Sequence, residues 1–285
     1  MNRILMITTG GTLACTPSPR GLVPTLKGAD ILKYATEKAD IDIYDYELID
    51  SSIMTDRERE GIAQIIWDNR ERYDSFIITH GTDSLAYTAA YLDCALKDLG
   101  KSIILIGAQY PLTRRVTDAV GNLDLAIRTA REGYWGVALA IFNRIIPARS
   151  ATKMDTVGYQ AFDSVTNEYL NAPLPLPEGT PHMRKARRRT GLIYITPNID
   201  PAIIRRHDGF DRVLVLVLGA GGMPRAAEEA LDWLKSKQVD VYIKSQCILG
   251  DVEAIYEAHS GVKKYTPVVG TSIDWAVYAI MFGVI

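Results

Sequence analysis

Three short stretches of this chain carry residue types that do chemistry on small molecules, and each comes after an apolar run. Thr8-Thr9-Gly10-Gly11-Thr12 stands directly after Ile4 to Ile7. Its two glycines allow a tight turn that presents backbone N–H groups beside a hydroxyl, the arrangement in which a nucleophile stands next to an oxyanion-binding site. Thr79-His80-Gly81-Thr82-Asp83-Ser84 ends the run that starts at Ser75 and brings a hydroxyl and a carboxylate together. Lys153 closes the segment that begins at Asn143, read as a loop after a further strand, with Asp155 two residues beyond it. A lysine desolvated beside hydroxyls loses its proton more readily and serves as a proton acceptor. Hydroxyl, base and N–H donors are the parts of a nucleophilic attack on a small acyl substrate.

Each stretch also has a purely structural reading. Gly10-Gly11 can simply end a strand, with Thr12 capping the next turn, and Thr82, Asp83 and Ser84 are all good helix N-caps. His80 reads first as a structural histidine and only second as a general base, and a loop lysine is ordinarily solvated. The segment Thr16 to Pro24, TPSPRGLVP, is rich in Pro and Gly and aperiodic. It reads as an exposed, mobile loop, either a lid over a site or an ordinary surface connection.

The elements that must position these groups alternate along the chain. Ile- and Val-rich runs at Ile4 to Ile7, Ser75 to Thr79, Ile103 to Ile106 and Val137 to Phe142 read as strands. Glu60 to Tyr73 and Tyr87 to Leu99 have the three- and four-residue apolar spacing of helices. This predicts an α/β protein, with a parallel sheet covered on both faces and ligands bound at the carboxyl ends of its strands. Ala172 to Thr190, APLPLPEGTPHMRKARRRT, holds four prolines and then five basic residues in six. It is read as an interdomain linker whose basic run is solvated. The expected division is an N-terminal catalytic domain at 1–171, the linker at 172–190, and a smaller α/β domain at 191–285. The smaller domain has strands at Gly191 to Thr196, Val213 to Leu218 and Val239 to Lys244, with helices near Pro201 to His207 and Pro224 to Lys237.

Bulk properties narrow the class of function. A chain of 285 residues with 47% hydrophobic content suits two soluble domains. A formal charge of -2 offers no field for nucleic acid or an anionic membrane, so the expected partner is a small molecule. Cys15, Cys94 and Cys247 are odd in number and lack metal or redox spacing, which suggests a reducing compartment with no disulfide, and no Cys or His stands at ligand spacing near His80, so no metal site is expected. The opening MNRILMITTGGT is too short for a signal-peptide core, and the closing WAVYAIMFGVI falls below the roughly 20 residues that span a bilayer. A cytoplasmic location is therefore expected.

In order and spacing, TTGGT at 8–12, THGTDS at 79–84, GAQYPL at 107–112 and ARSATK at 148–153 resemble the bacterial-type L-asparaginase family. Asp50-Ser51-Ser52 before Met54-Thr55, Thr117-Asp118 before Gly121-Asn122-Leu123, and Ser245-Gln246-Cys247 extend the resemblance over nearly the whole chain. The DSS-x-M-T run looks more like the cytoplasmic type I form. Archaeal tRNA-dependent amidotransferase subunits share these motifs but carry an extra N-terminal module, which argues against a tRNA partner here.

The resemblance implies hydrolysis of L-asparagine to L-aspartate and ammonia by double displacement, without a cofactor, in a homodimer or homotetramer. Thr12 would be the nucleophile, with Thr82, Asp83 and Lys153 as a hydrogen-bonded relay. Asp83 would also hold the substrate α-ammonium, and Ser51 and Ser52 its α-carboxylate. Gly11, Thr82, Ala108 and Gln109 would line the pocket.

The chain departs from the family pattern in three places. Many members carry a tyrosine in a Gly-Tyr-x-Pro context, where this chain has Gly21-Leu22-Val23-Pro24. Tyr256 and Tyr265 are the candidates to replace that phenol. Gly222 stands where a G-x-G-N-x-P turn has asparagine, and Ala276 where an acidic residue is expected. Loss of the phenol motivates an alternative, a weakly active or inactive amino-acid-binding protein of the same fold. A dinucleotide-binding reading of Gly219 to Pro224 fails, because Pro224 occupies the sixth position and no acidic residue ends the next strand.

Overall fold

The apolar run that opens the chain becomes β1 (Arg3–Gly10), in a computed structural model that describes residues 2–172, 176–253 and 257–285. From Ile4 onward β1 is buried on both faces, which explains why its apolar residues do not alternate with polar ones. The hairpin β2 (Cys15–Ser18) and β3 (Gly21–Pro24), α1 (Gly28–Leu32) and β4 (Asp40–Ile49) come after it. Next are α2 (Asp56–Asn69), β5 (Ser75–Thr79), α3 (Leu85–Ala95), β6 (Leu96–Lys97), β7 (Ser102–Ile106), α4 (Ala119–Glu132) and β8 (Gly136–Ile141). The strands β9 (Arg144–Pro147), β10 (Ala151–Lys153), β11 (Phe162–Ser164) and β12 (His182–Met183) complete the first of two compact units, Met1–Arg184.

Six of these strands form one sheet in the order β4-β1-β5-β7-β8-β9, parallel except at β9. The expected α/β class is therefore observed. The winding reverses between β1 and β5, since β1 is flanked by the second and third parallel strands of the chain. Such a reversal opens a crevice at the carboxyl ends of the strands on either side of it. Thr8 pairs with Thr79 there, and the Thr9 hydroxyl donates to the Thr79 carbonyl at 2.7 Å, so the two strands end level and tied. Met6, Ile77, Ile104 and Ile106 on one face pack against Ala126, Ile127 and Ala130 of α4. The alternate residues Ile7, Phe76, Ile78 and Leu105 are equally buried on the other face, as the two-residue period of a strand requires.

Four features differ from the sequence reading. Strand β4 was not expected: it is an edge strand with Ile43, Tyr44 and Leu48 exposed, so DIDIYDYELI lacks a continuous apolar run. The segment read as an aperiodic loop is the regular hairpin β2–β3, paired from Cys15↔Pro24 to Ser18↔Gly21. Its residues are largely exposed, so no apolar period marks it, and the Ser18 hydroxyl donates to the Gly21 carbonyl at 2.7 Å across the turn. Lys153 lies in β10, paired with Phe162 of β11, and not in a loop. Within the span read as a linker, His182 and Met183 pair with Lys97 and Leu96, which draws residues up to Arg184 into the first unit.

The second unit, Lys185–Ile285, contains β13 (Thr190–Tyr194), α5 (Pro201–Arg205), β14 (Arg212–Val217), α6 (Arg225–Ser236), β15 (Asp240–Ser245), β16 (Thr266–Pro267) and α7 (Ile273–Phe282). Its four strands are parallel and lie in chain order. Asp200 starts α5 by accepting from Ala202 N at 2.9 Å, with Pro201 in the first turn, where its missing N–H costs nothing. Ile204 of α5 and Ala227, Ala230, Leu231 and Leu234 of α6 cover one face of this sheet. Ala276 and Ile280 of α7 cover the other, against Leu214 and Leu216. Gly222 closes a tight turn by exchanging two backbone hydrogen bonds with Leu218, at 2.9 and 2.7 Å.

The fully buried Ala276 lets α7 lie flat on the sheet. Restoring the acidic residue with Ala276→Glu would push a carboxylate among Leu214, Leu216 and Tyr242. Urea unfolding is expected to show a loss of more than about 3 kcal/mol. A loss below about 1 kcal/mol would mean that the position is not packed as described.

Candidate active site

The loops leaving β1, β4, β5 and β7 meet through glycines. A Cβ placed on Gly11, whose φ is 78°, would stand 2.4 Å from Gly81 N and 2.5 Å from the His80 carbonyl carbon, so the two backbones touch directly. A Cβ on Gly81 would lie 2.4 Å from Ser51 Oγ, and one on Gly107 would lie 3.1 Å from both His80 O and Thr82 Cγ2. The Ser84 hydroxyl donates to the Ser51 carbonyl at 2.6 Å and ties the turn after β4 to the start of α3. Segments some seventy residues apart in sequence thus close around one cleft of about 170 Å³. That is below the roughly 300 Å³ at which pockets for drug-sized ligands begin, and suits a small substrate.

Three hydroxyls, from Thr12, Ser51 and Thr82, line the cleft together with the carboxylates of Asp50 and Asp83. Gly11, Cys15, Leu22, Pro24, Ile49 and Gly81 form the rest of its wall. Thr12 opens a single 3-10 turn (Thr12–Ala14) whose N-cap is Gly11, without a side-chain cap. Its hydroxyl has no hydrogen-bond partner among the described residues. The capping alternative for Thr82 to Ser84 also fails: Ser84 is the N-cap of α3 but makes no cap bond. Lys153 reaches the cleft from β10 and donates from Nζ to Thr82 Oγ1 at 3.0 Å and to Asp83 Oδ1 at 2.7 Å. Asp83 is 63% exposed, so this ion pair adds no more than about 1 kcal/mol of stability, and its consequence is to orient the Thr82 hydroxyl.

Of the residues expected at the site, Gly11, Thr12, Ser51, Thr82 and Asp83 line one cleft, and Lys153 is bonded to two of them. Ser52, Ala108 and Gln109 do not line it. Ser52 is exposed, and its N–H donates to Asp50 Oδ1 at 2.9 Å. Ala108 is buried in the core of the first unit. Gln109 and Tyr110 direct their N–H groups to the Asp118 carboxylate at 3.0 Å, while Asn122 donates to the Gly107 carbonyl at 2.9 Å and accepts from Phe142 N at 2.9 Å. The GAQ turn is therefore a support held from below by α4. Asp50, Cys15, Ile49, Pro24 and Gly81 are lining residues that sequence reasoning did not place at the site. For Asp50 and Gly81 the signal was available, since each adjoins a residue that was named.

His80 stands behind the cleft, fully buried. Its Nδ1 is 2.7 Å from the Gly81 carbonyl, so Nδ1 carries the proton and Nε2 accepts from the Thr88 hydroxyl at 2.8 Å. Thr88 in turn accepts from Nε of the buried Arg59 at 3.1 Å. Burial, with the Arg59 charge adding to it, pushes the imidazole down to about 4. His80 is thus the structural histidine expected, a neutral strut that fixes Gly81. Burial, reinforced by the Asp50 charge, pushes the Cys15 thiol up, which makes it a poor thiolate nucleophile.

Among the described residues none that lines the cleft carries a phenol, and Leu22 occupies the wall where the family pattern has one. Tyr256 lies outside the described residues. Tyr265 belongs to the second unit, where its buried hydroxyl donates to Asp232 Oδ1 at 2.9 Å and to the Glu228 carbonyl at 3.3 Å. Burial and the Asp232 carboxylate push this phenol up, so it is held protonated and committed. Among the described residues no three His, Cys, Asp or Glu side chains gather as a metal ion needs, and no helix is long and apolar enough to cross a membrane.

Comparison with known proteins points the same way. Residues 3–176 match the family model described as Asparaginase, N-terminal. L-asparaginase 1 of Escherichia coli K12 is 30% identical over 269 residues, covering 86% of this chain and 79% of that protein. L-asparaginase of Thermococcus kodakarensis is 28% identical over 275 residues, covering 88% and 82%. The solved structure of the thermostable T. kodakarensis L-asparaginase superposes with a TM-score of 0.88 at 24% identity, covering 99% of this chain and 92% of the other, and so shares its fold.

Gly11 and His80 each generate a stability prediction. Gly11→Ala forces the loops apart and is expected to cost about 3 kcal/mol or more. Gly121→Ala, inside α4 with open space around it, should instead stabilise by about 0.5–1 kcal/mol. Equal effects in denaturant unfolding would contradict the close contact. For His80, protonation favours the unfolded chain, whose imidazole titrates near 6.5. The stabilising contribution is complete above that pH, declines as pH falls and is gone by about 4, a loss of about 3 kcal/mol. His80→Gln should lack this slope, and an unchanged pH profile would show that His80 is not the group responsible.

Proposed function

This chain belongs to the asparaginase family, and on that premise we propose that it hydrolyses the side-chain amide of L-asparagine to L-aspartate and ammonia through a Thr12 acyl-enzyme. One observation carries the reading: the unpartnered Thr12 hydroxyl faces the same cleft as Thr82, whose hydroxyl is already bonded to Lys153. Thr12 Oγ attacks the amide carbon while its proton passes to Thr82 Oγ1 and the Thr82 proton to Lys153 Nζ, which has given up a proton to solvent as the substrate α-ammonium takes its place beside Asp83. The tetrahedral intermediate then collapses with transfer of a proton to the leaving nitrogen, so that ammonia departs and an aspartyl ester remains on Thr12. Water, deprotonated along the same route, cleaves the ester and restores the hydroxyl. Backbone N–H groups at the Gly10-Gly11 turn are the natural donors to the oxyanion.

A zwitterionic substrate brings two charges that must be paired as water leaves the cleft. The partly exposed Asp83 carboxylate, only one of whose oxygens is engaged by Lys153, is assigned to the α-ammonium. Ser51, held by Gly81 and Ser84, is assigned to the α-carboxylate, with Ser52 beside it. The Thr82–Lys153 pair, bonded at 3.0 Å, carries the nucleophile's proton. No cofactor is needed for these steps. The resemblance to the type I form supports a cytoplasmic homodimer or homotetramer.

Ammonia release from L-asparagine tests this reading. Thr12→Ala should lose at least about a thousandfold in kcat, and Lys153→Met at least about a hundredfold with a smaller change in KM. Wild-type turnover in Thr12→Ala would remove Thr12 as nucleophile, and undiminished turnover in Lys153→Met would remove the relay.

A further inference from the structure

The cleft lining holds one charged group that the proposed reaction does not use, the Asp50 carboxylate. Its place is set by strand register. β1 and β4 pair Gly10 with Ile49, so the residue after Ile49 leaves the sheet beside Gly11, next to the nucleophile in sequence. One Asp50 oxygen accepts from Ser52 N at 2.9 Å, which fixes the side chain in its turn. Asp50 makes no salt bridge among the described residues, whereas Asp83, the other lining carboxylate, is neutralised by Lys153. The Asp50 charge is felt at Cys15, whose Sγ lies 3.4 Å from the carbonyl of Gly11. Asp50, Cys15, Gly11 and Thr12 thus face one cleft.

We propose that Asp50 is a specificity-determining residue that disfavours negative charge at the Thr12 end of the cleft and so discriminates against the product. The inference rests on the reaction proposed above. Substrate and product share the α-ammonium and α-carboxylate, and they differ only at the far end, where a neutral amide becomes a carboxylate. Contacts to the shared groups cannot tell the two apart. An uncompensated carboxylate beside the reacting end can: it leaves the amide nearly unaffected and repels the newly formed charge. Through a partly aqueous path of several ångströms, such repulsion weakens binding by about three- to tenfold. The product then leaves the cleft even where free aspartate is abundant, without first having to be outcompeted.

Asp50→Asn removes the charge and keeps both the side-chain volume and an oxygen to accept from Ser52 N. The test is calorimetric titration of L-asparagine and L-aspartate into Thr12→Ala, in which asparagine is not consumed, and into Thr12→Ala carrying Asp50→Asn. The ratio of the aspartate Kd to the asparagine Kd should fall about three- to tenfold when the charge is removed, and the difference should shrink in high salt. An unchanged ratio would overturn the inference, as would equal weakening of both ligands, which would make Asp50 an ammonium contact instead. If Thr12→Ala binds neither amino acid, the proposed reaction falls and this inference with it. Binding of both with a ratio insensitive to Asp50→Asn removes the inference alone.

Discussion

The direct contact between the backbones at Gly11 and at His80–Gly81 is the constraint on which the site depends. A parallel sheet brings the carboxyl ends of β1 and β5 side by side, but a Cβ at residue 11 would hold the two loops apart. Because Gly11 has no Cβ, the loops close until Thr12 and Thr82 share one cleft, and Gly81 in turn admits the Ser51 side chain. The positive φ of Gly11 adds a second reason for glycine, since it turns the chain away from the strand before Thr12. Chemistry on a small substrate requires reacting groups placed to within a fraction of an ångström, and here that placement is set by main chain, the least adjustable part of the molecule.

Behind the contact lies a polar scaffold that holds each loop from the side away from the cleft. His80, Thr88 and Arg59 form one buried chain of hydrogen bonds that ends on the Gly81 carbonyl. Asp118 and Asn122, from the start of α4, hold the 107–110 turn in the same manner. Buried networks of this kind rigidify when complete and are costly when broken, so they transmit the order of the helices to the loops. Lys153 comes from the separate β10–β11 strand pair, and its reach into the cleft rests on a long side chain instead of on this frame.

Much of this was legible in the residues. The buried central strands announced themselves as unbroken apolar runs, and their alternation with helices gave the sheet type and the edge at which ligands bind. Edge elements were not legible: β4 and the β2–β3 hairpin are exposed on much of their surface, and an exposed strand has no apolar signature. The site was readable in proportion to how local its signal was. Thr12, Thr82 and Asp83 stand in glycine turns at strand ends, whereas the coupling of Lys153 to them depends on a β10–β11 pairing that no local pattern encodes. Ala108 and Gln109 came in as motif neighbours and belong to the support of the cleft. Asp50 and Gly81 adjoin residues that were named, but what each does there depends on register and on a contact distance, neither of which is written in composition. Gly222 and Ala276, departures by pattern, are accommodated by a closed backbone turn and by an apolar helix–sheet face.

The central claim is that the meeting of these loops makes Thr12 the residue that takes up the acyl group. The most direct measurement mixes the enzyme with L-asparagine, quenches it in acid during turnover and locates the covalent adduct by peptide mass spectrometry. The expected result is an aspartyl ester on the peptide that contains Thr12, absent from Thr12→Ala. An adduct on Thr82 or Ser51, or steady ammonia release with no adduct under conditions in which the second half-reaction has been slowed, would contradict it.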